Sequence, residues 1–155
     1  MTNAAAGLDE MLRAAGAAWD RPEEAKALLD RALAEHPDAE DAFVAAYRFH
    51  FYRNELVPAL SLAERCAERA LGDLGLPPDL DALQPDGTDF SDPARPRHRF
   101  LLFALHARAY LLARLGWHED ADAAFSVVAR LDPADRIGAA HWQGVLRRGP
   151  DADAD

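Results

Sequence analysis

The chain has 155 residues, a length that favours one domain with a substantial hydrophobic core. Half of the residues are hydrophobic, alanine supplies many of them and β-branched residues are few, so the composition favours an all-α protein. A net charge of −10 argues against nucleic acid and anionic membrane surfaces as partners, because both attract Lys and Arg.

Apolar residues recur at helical spacing through the first half of the chain. Pro22 suits the first turn of a helix, and His36 ends a helix because the residue before a proline is pushed out of the helical region. Asn54 fits a left-handed stop. Together these features predict four helices, over residues 8–19, 22–35, 39–53 and 56–71.

Residues 73–97 differ in character, because they are rich in proline and aspartate and end in alternating arginines. They predict a long connection with one helical turn near residues 79–83. A connection of this length is usually functional or disordered, and a surface insertion without a role is the alternative. Three further helices are predicted over residues 98–115, 118–131 and 134–148, followed by an acidic, disordered tail at 149–155.

The remaining composition limits the compartment and the covalent chemistry. Cys66 is the only cysteine, which excludes an intrachain disulfide and a cysteine-rich metal site. The N-terminus lacks a basic start followed by an apolar run, and no apolar stretch approaches the roughly 20 residues that span a bilayer. We therefore expect a cytoplasmic protein.

Two helix pairs that end in a proline have the same internal spacing. When the pairs are aligned on these prolines, Ala25 matches Ala121 and Leu29 matches Phe125. The pairs lie 96 residues apart, which is two 34-residue periods plus about the length of the long connection. A middle pair, residues 41–71, then falls in phase.

The third pair carries the fullest pattern, with Ala109 where its helices cross, Gly116 at the turn and the run Leu-Asp-Pro at 131–133. These residues, with those matched between the pairs, resemble the tetratricopeptide repeat (TPR) family over roughly residues 6–133. The resemblance implies an all-α, right-handed superhelix of three TPR-like helical hairpins plus a C-terminal capping helix, about seven helices in all. Such hairpins stack because one pair cannot bury its apolar face alone.

The expected unit is a single domain, residues 1–148, with the long loop at 73–97 inserted into it. Two positions depart from the family pattern, because Arg13 and Tyr47 stand where a small residue is usual. The signal is therefore clearest in the third pair and weaker in the first two.

The family resemblance also implies a concave face, lined by the first helix of each pair, that binds a partner peptide or protein. Aromatic residues and Arg supply most of the binding energy at interfaces, and Arg holds a carboxylate through two bonds. The alternative is that Phe51, Tyr52 and Phe103 belong to the core or lie under the long loop. Carried over by position, the groove residues are Val44, Arg48, Phe51, Tyr52, Phe103, His106, Tyr110 and Arg114.

A second resemblance concerns the runs RFHFYRNELVPAL and RFLLFALHARAYLLARLG, the latter followed by LDPADRIGA. These runs are similar to short TPR proteins encoded among bacterial nitrogen-fixation genes. The resemblance implies a setting, in which the partner is a component or an assembly factor of a metalloenzyme system.

No common catalytic constellation occurs in the sequence: there is no Gly-rich phosphate loop, no G-x-S-x-G elbow and no H-E-x-x-H pair. The acidic groups at 119–122 fit the capping of a helix N-terminus better than a metal site. We expect a non-enzymatic adaptor without cofactor or metal. A self-associating homodimeric subunit, packed through the first helix or through Trp142, is the alternative, and an enzyme with an unrecognised site is a distant third.

Overall fold

The computed structural model describes residues 2–37 and 39–149. Within these ranges the chain forms seven α-helices, one 3₁₀ turn and no strand, which confirms the all-α prediction. None of the described helices is both long enough and apolar enough to cross a membrane. The helices are α1 (Thr2–Ala17), α2 (Pro22–Glu35), α3 (Glu40–Tyr52), α4 (Leu56–Leu74), α5 (Pro96–Arg114), α6 (His118–Leu131) and α7 (Ala139–Arg148), and the 3₁₀ turn is Leu80–Ala82.

Proline and glycine explain several of the helix ends. Pro22 and Pro96 each occupy the first turn of a helix, where the missing N–H has no intrahelical partner to lose. The helix α5 begins at Pro96, two residues before the predicted start at residue 98. Gly116 has φ 84° and lets the chain turn tightly between α5 and α6.

The predicted start of α7 at residue 134 is wrong, because aspartate side chains organise residues 133–138 as a turn. The buried Asp132 accepts a hydrogen bond from the Ile137 N–H at 3.0 Å, and Asp135 accepts one from the Ala140 N–H at 2.9 Å. Gly138, with φ 88°, then precedes the first residue of the helix. The Asp135 bond satisfies an N–H group in the first turn of α7, which has no partner within the helix.

The described chain forms two compact units, one ending at Leu62 and the other beginning at Ala63. In the first unit α1 packs against α2, and α2 packs against α3. Small residues make this packing close, because Ala32 and Ala42 are fully buried. Leu8 lies in the same cluster, with Met11, Leu12, Leu33 and Ala39 half-buried around it.

An aromatic and cationic cluster closes the other end of the first unit. The Trp19 ring meets Phe49 edge-on, with 5.5 Å between the ring centroids, and the Arg53 guanidinium lies 4.6 Å from the centre of the Phe49 ring. Arg53 also donates a hydrogen bond to the Trp19 carbonyl. Phe49 is 2% exposed and, with Phe43 at 3%, is one of the two large core side chains of α3.

In the second unit α5 packs along α6, and α6 packs against α7. Ala109 and Ala121 are both fully buried, so the helices approach closely at small residues. The second unit's core includes Leu83, Leu101, Leu102, Leu105, Leu111, Phe125, Val128 and Leu131.

The long connection between α4 and α5 contributes to the core of the second unit. Leu83 is 1% exposed and Phe90 is 2% exposed, although the surrounding residues are polar. Arg130 of α6 donates hydrogen bonds to the Leu83 carbonyl at 2.8 Å and to the Leu80 carbonyl at 3.0 Å. These contacts place Leu83 and Phe90 in the core and join the segment to α6.

Polar bonds hold α7 against α6. Arg147 donates to both carboxylate oxygens of Asp122, at 2.7 and 3.2 Å, and these bonds lower the pKa of the Asp122 carboxyl. Gln143 donates to the Asp122 carbonyl at 2.9 Å and to the Ser126 hydroxyl at 2.7 Å. Asp122 thus anchors α7, a role that the capping interpretation of residues 119–122 missed. Of the predicted disordered tail only Gly149 is described, and residues 150–155 lie outside the described ranges.

Candidate functional site

The first unit contains an open hollow of about 420 Å³ beside α3. Among the residues that the structure describes, Arg48 is the one charged residue that lines the hollow, and no acidic side chain of that set pairs with its guanidinium. Both Arg48 and Tyr52 are exposed and carry hydrogen-bond donors. The lining residues are Leu12, Ala15, Gly16, Trp19, Leu29, Ala45, Arg48 and Tyr52.

The predicted groove residues of α3 differ in exposure. Tyr52 is 72% exposed and therefore does not belong to the core. Val44 and Phe51 are half-buried, and the Phe51 ring lies between Tyr47 and Tyr52, at centroid distances of 5.7 and 5.5 Å. Only Arg48 and Tyr52 of the four α3 residues line the hollow.

The predicted groove residues of α5 form contacts along one side of that helix. Phe103 is 42% exposed, and the Arg99 guanidinium lies 5.0 Å from the centre of its ring. Tyr110 is half-buried, with its ring 5.8 Å from Trp142 of α7. Arg114 donates a hydrogen bond to the Tyr110 hydroxyl at 3.3 Å. Phe103 thus stays at the surface, whereas Tyr110 also supports the docking of α7.

Three residues at these surfaces were not among the predicted groove residues. Trp19 lies in the predicted first helix and was not selected as a groove residue, yet it is 40% exposed and lines the hollow. Trp142 covers Tyr110, and Arg99 covers Phe103. The four-residue spacing of Arg99 and Phe103 on one helix was the available signal.

His106 is the predicted groove residue with the most unusual environment. Its ring lies 6.0 Å from Phe125, and its Nδ1 atom is buried without a hydrogen-bond partner among the described atoms. Burial lowers the pKa of His106, while the negative charges of Asp135 and Asp132 oppose that shift. His106 is consequently neutral at pH 7 and contributes no positive charge to a partner site.

This burial makes stability depend on pH. Because the folded pKa of His106 lies below the unfolded value of 6.5, unfolding takes up a proton, and stability falls as pH drops through the window below 6.5. The slope is at most about 1.4 kcal/mol per pH unit for one proton. We expect His106→Gln to lessen this fall in urea denaturation between pH 7.5 and 5.5.

His98, whose pKa is also lowered by burial, keeps a residual pH dependence in that variant. The exposed His118 supplies the control substitution, His118→Gln, which removes a histidine from the surface of α6. Equal slopes for wild type and His106→Gln would contradict the assignment.

No protein-family profile, curated protein or solved structure matches this chain. Among residues 2–37 and 39–149, no three His, Cys, Asp or Glu side chains converge in a way that could hold a metal ion.

Proposed function

We propose that this chain is a cytoplasmic, non-enzymatic protein-binding module of the TPR type. In this proposal three helical hairpins and α7 as the capping helix form a right-handed superhelix, and the first helix of each hairpin faces the partner. The burial of matched positions supports it, since Ala25 and Ala121 are both fully buried, and Leu29 and Phe125 are 3% and 1% exposed. Small buried residues at equivalent places are what stacked hairpins require.

The observation that carries the binding function is the hollow beside α3. An apolar hollow with an unpaired arginine and an exposed tyrosine suits an apolar side chain next to a carboxylate or carbonyl oxygen. The partner is therefore a peptide segment or a protein, and the reaction chemistry of an enzyme is not needed. The similarity to TPR proteins encoded near nitrogen-fixation genes supports an accessory role in a metalloenzyme system.

Site-specific crosslinking in the native cell tests this function. With a photo-crosslinking amino acid in place of the exposed Tyr52, we expect one protein adduct of defined mass. Arg48→Ala is expected to reduce the adduct about tenfold, because it removes the only charged group of the hollow. Mass spectrometry identifies the adduct, and circular dichroism checks that the helices remain.

The exposed Ala34 of α2, which does not line the hollow, is the matched control position for the crosslinker. Identical adducts from positions 34 and 52, or no adduct from position 52, would overturn the proposed function.

A second candidate function is self-association through α7. Trp142 is 42% exposed, and Val145 and Leu146 are half-buried, so this helix presents apolar surface. Light scattering separates the two candidates: a dimer that persists on dilution and is lost in Trp142→Ala supports assembly, whereas a monomer supports the adaptor.

A further inference from the structure

The charges of this acidic chain are unevenly distributed. From Pro93 to His118 the sequence contains five arginines and no aspartate or glutamate, although the net charge of the chain is −10. This stretch includes all of α5. A helix that carries only positive charge in an acidic protein needs negative charge from elsewhere.

Two of these arginines meet that need within the second unit. Arg97 pairs with Asp73, and Arg108 lies 3.6 Å from a carboxylate oxygen of Glu64. Both acidic residues belong to α4. This side of α5 is therefore neutralised by the chain itself.

The opposite side of α5 is different. At 100° per residue, four residues of α5 share one face of the helix with its N-cap residue Arg95, and we call these five residues the α5 strip. Arg95 and Arg99, at the start of the strip, have no ion-pair partner among the described residues. The strip consists of Arg95, Arg99, Phe103, Tyr110 and Arg114.

The two arginines differ in their electrostatic surroundings: Arg95 helps to lower the pKa of the Asp89 carboxyl, whereas Arg99 has no ion pair among the described residues. They lie at the N-terminal end of α5, where the partial positive charge of the helix dipole disfavours cations. The Arg99 guanidinium rests 5.0 Å from the centre of the exposed Phe103 ring, which holds it at the surface. Cation and ring together form the kind of surface on which interface binding energy concentrates.

We infer that the α5 strip docks an acidic protein segment that also carries apolar side chains. The inference rests on the proposed function and specifies the chemistry of its partner: carboxylates meet Arg95 and Arg99, and an aliphatic or aromatic side chain covers Phe103. A protein occupant is favoured over nucleic acid because the net charge of −10 repels a polyphosphate strongly. A peptide with a few carboxylates carries less negative charge, so its electrostatic repulsion from the chain is small.

Fluorescence anisotropy with defined probes tests the inference. The probes are a labelled 15-residue peptide of Glu, Leu and Phe, its twin with Lys for each Glu, a Glu/Ala peptide without large apolar residues, and oligo-uridine. We expect the Glu/Leu/Phe peptide to bind best, with a Kd that rises at high salt. Arg99→Glu should raise this Kd about tenfold, and Phe103→Ala should raise it severalfold.

Arg31→Glu is the control for the change in charge, since Arg31 is exposed on α2, where it pairs with Glu35 at 2.9 Å. Its binding should equal that of wild type apart from a small general effect. Arg99→Lys, which keeps the charge but loses the planar group over the ring, should fall between wild type and Arg99→Glu. Thermal unfolding verifies that each variant is folded.

Equal losses in Arg99→Glu and Arg31→Glu, or preference for the Lys peptide or for oligo-uridine, would overturn the inference. Its failure is distinct from failure of the proposed function. If the adduct at position 52 forms and its yield is unchanged by Arg99→Glu, the adaptor function is supported and the acidic partner is contradicted. If the Glu/Leu/Phe peptide binds the α5 strip but position 52 gives no adduct, the inference about the strip is supported and the partner site at the hollow is contradicted.

Discussion

Replacing Phe90 by Ala is expected to lower the free energy of unfolding by about 3–5 kcal/mol, the range for truncation of a buried aromatic residue. Phe90 is 2% exposed, and its ring meets His98 edge-on at a centroid distance of 5.0 Å. Truncation leaves a cavity in the second unit, because the helices around it cannot fully close. Urea denaturation, followed by the fluorescence of Trp117 and Trp142, measures the loss.

A matched change in the same connection separates burial from position. Gln84 is exposed, so Gln84→Ala should alter stability by less than about 0.5 kcal/mol. A Phe90→Ala loss as small as this would mean that the connection between α4 and α5 does not belong to the core.

Replacing Ala109 by Leu is expected to destabilise the second unit by about 1–3 kcal/mol, because the larger side chain forces α5 and α6 apart. Ala109 and Ala121 are both fully buried, at 0% exposure. Three further carbon atoms at residue 109 therefore do not fit unless a helix moves. Thermal and urea unfolding measure the change.

The exposed Ala123 of α6 is the control for this substitution. Ala123→Leu adds the same atoms to the same hairpin at a position open to solvent and should change stability by less than about 0.5 kcal/mol. If Ala109→Leu is equally neutral, close approach of the helices at small residues is not what stabilises the hairpin.

Local chemistry explains why much of the helical structure could be predicted. The predicted bounds of α2 and α6 agree with the structure, since a proline in the first turn starts α2 and proline follows shortly after the end of each helix. Alanine at helical spacing predicted buried small residues, and Ala25 and Ala121 are fully buried. Both effects depend on residues a few positions apart, so they can be predicted from the sequence.

Burial on α3 could not be predicted in the same way. The helix buries Phe43 and Phe49 but exposes Tyr52, although all three are aromatic. Tertiary contacts bury Phe49, because the Trp19 ring and the Arg53 guanidinium lie against its ring. The pairing of Trp19 with Phe49 joins residues 30 positions apart, which no local periodicity encodes.

The candidate site was predicted in part for a related reason. Arg48 and Tyr52 were selected by position and line one hollow, but Trp19 beside them was not selected. The exposure of a side chain depends on which neighbours cover it, and a single helix does not specify them. Arg99 was missed because only the structure shows which arginines of α5 are paired with α4.

By itself, the sequence determined the helical class, most helix positions and the small residues at which helices meet, since all three follow from backbone propensity and short-range spacing. The tertiary structure alone decided that Leu83 and Phe90 belong to the core and that residues 133–138 form a turn. The physical reason is distance along the chain: Arg130 holds the carbonyls of residues about 50 positions away, and such contacts form only when the helices have packed.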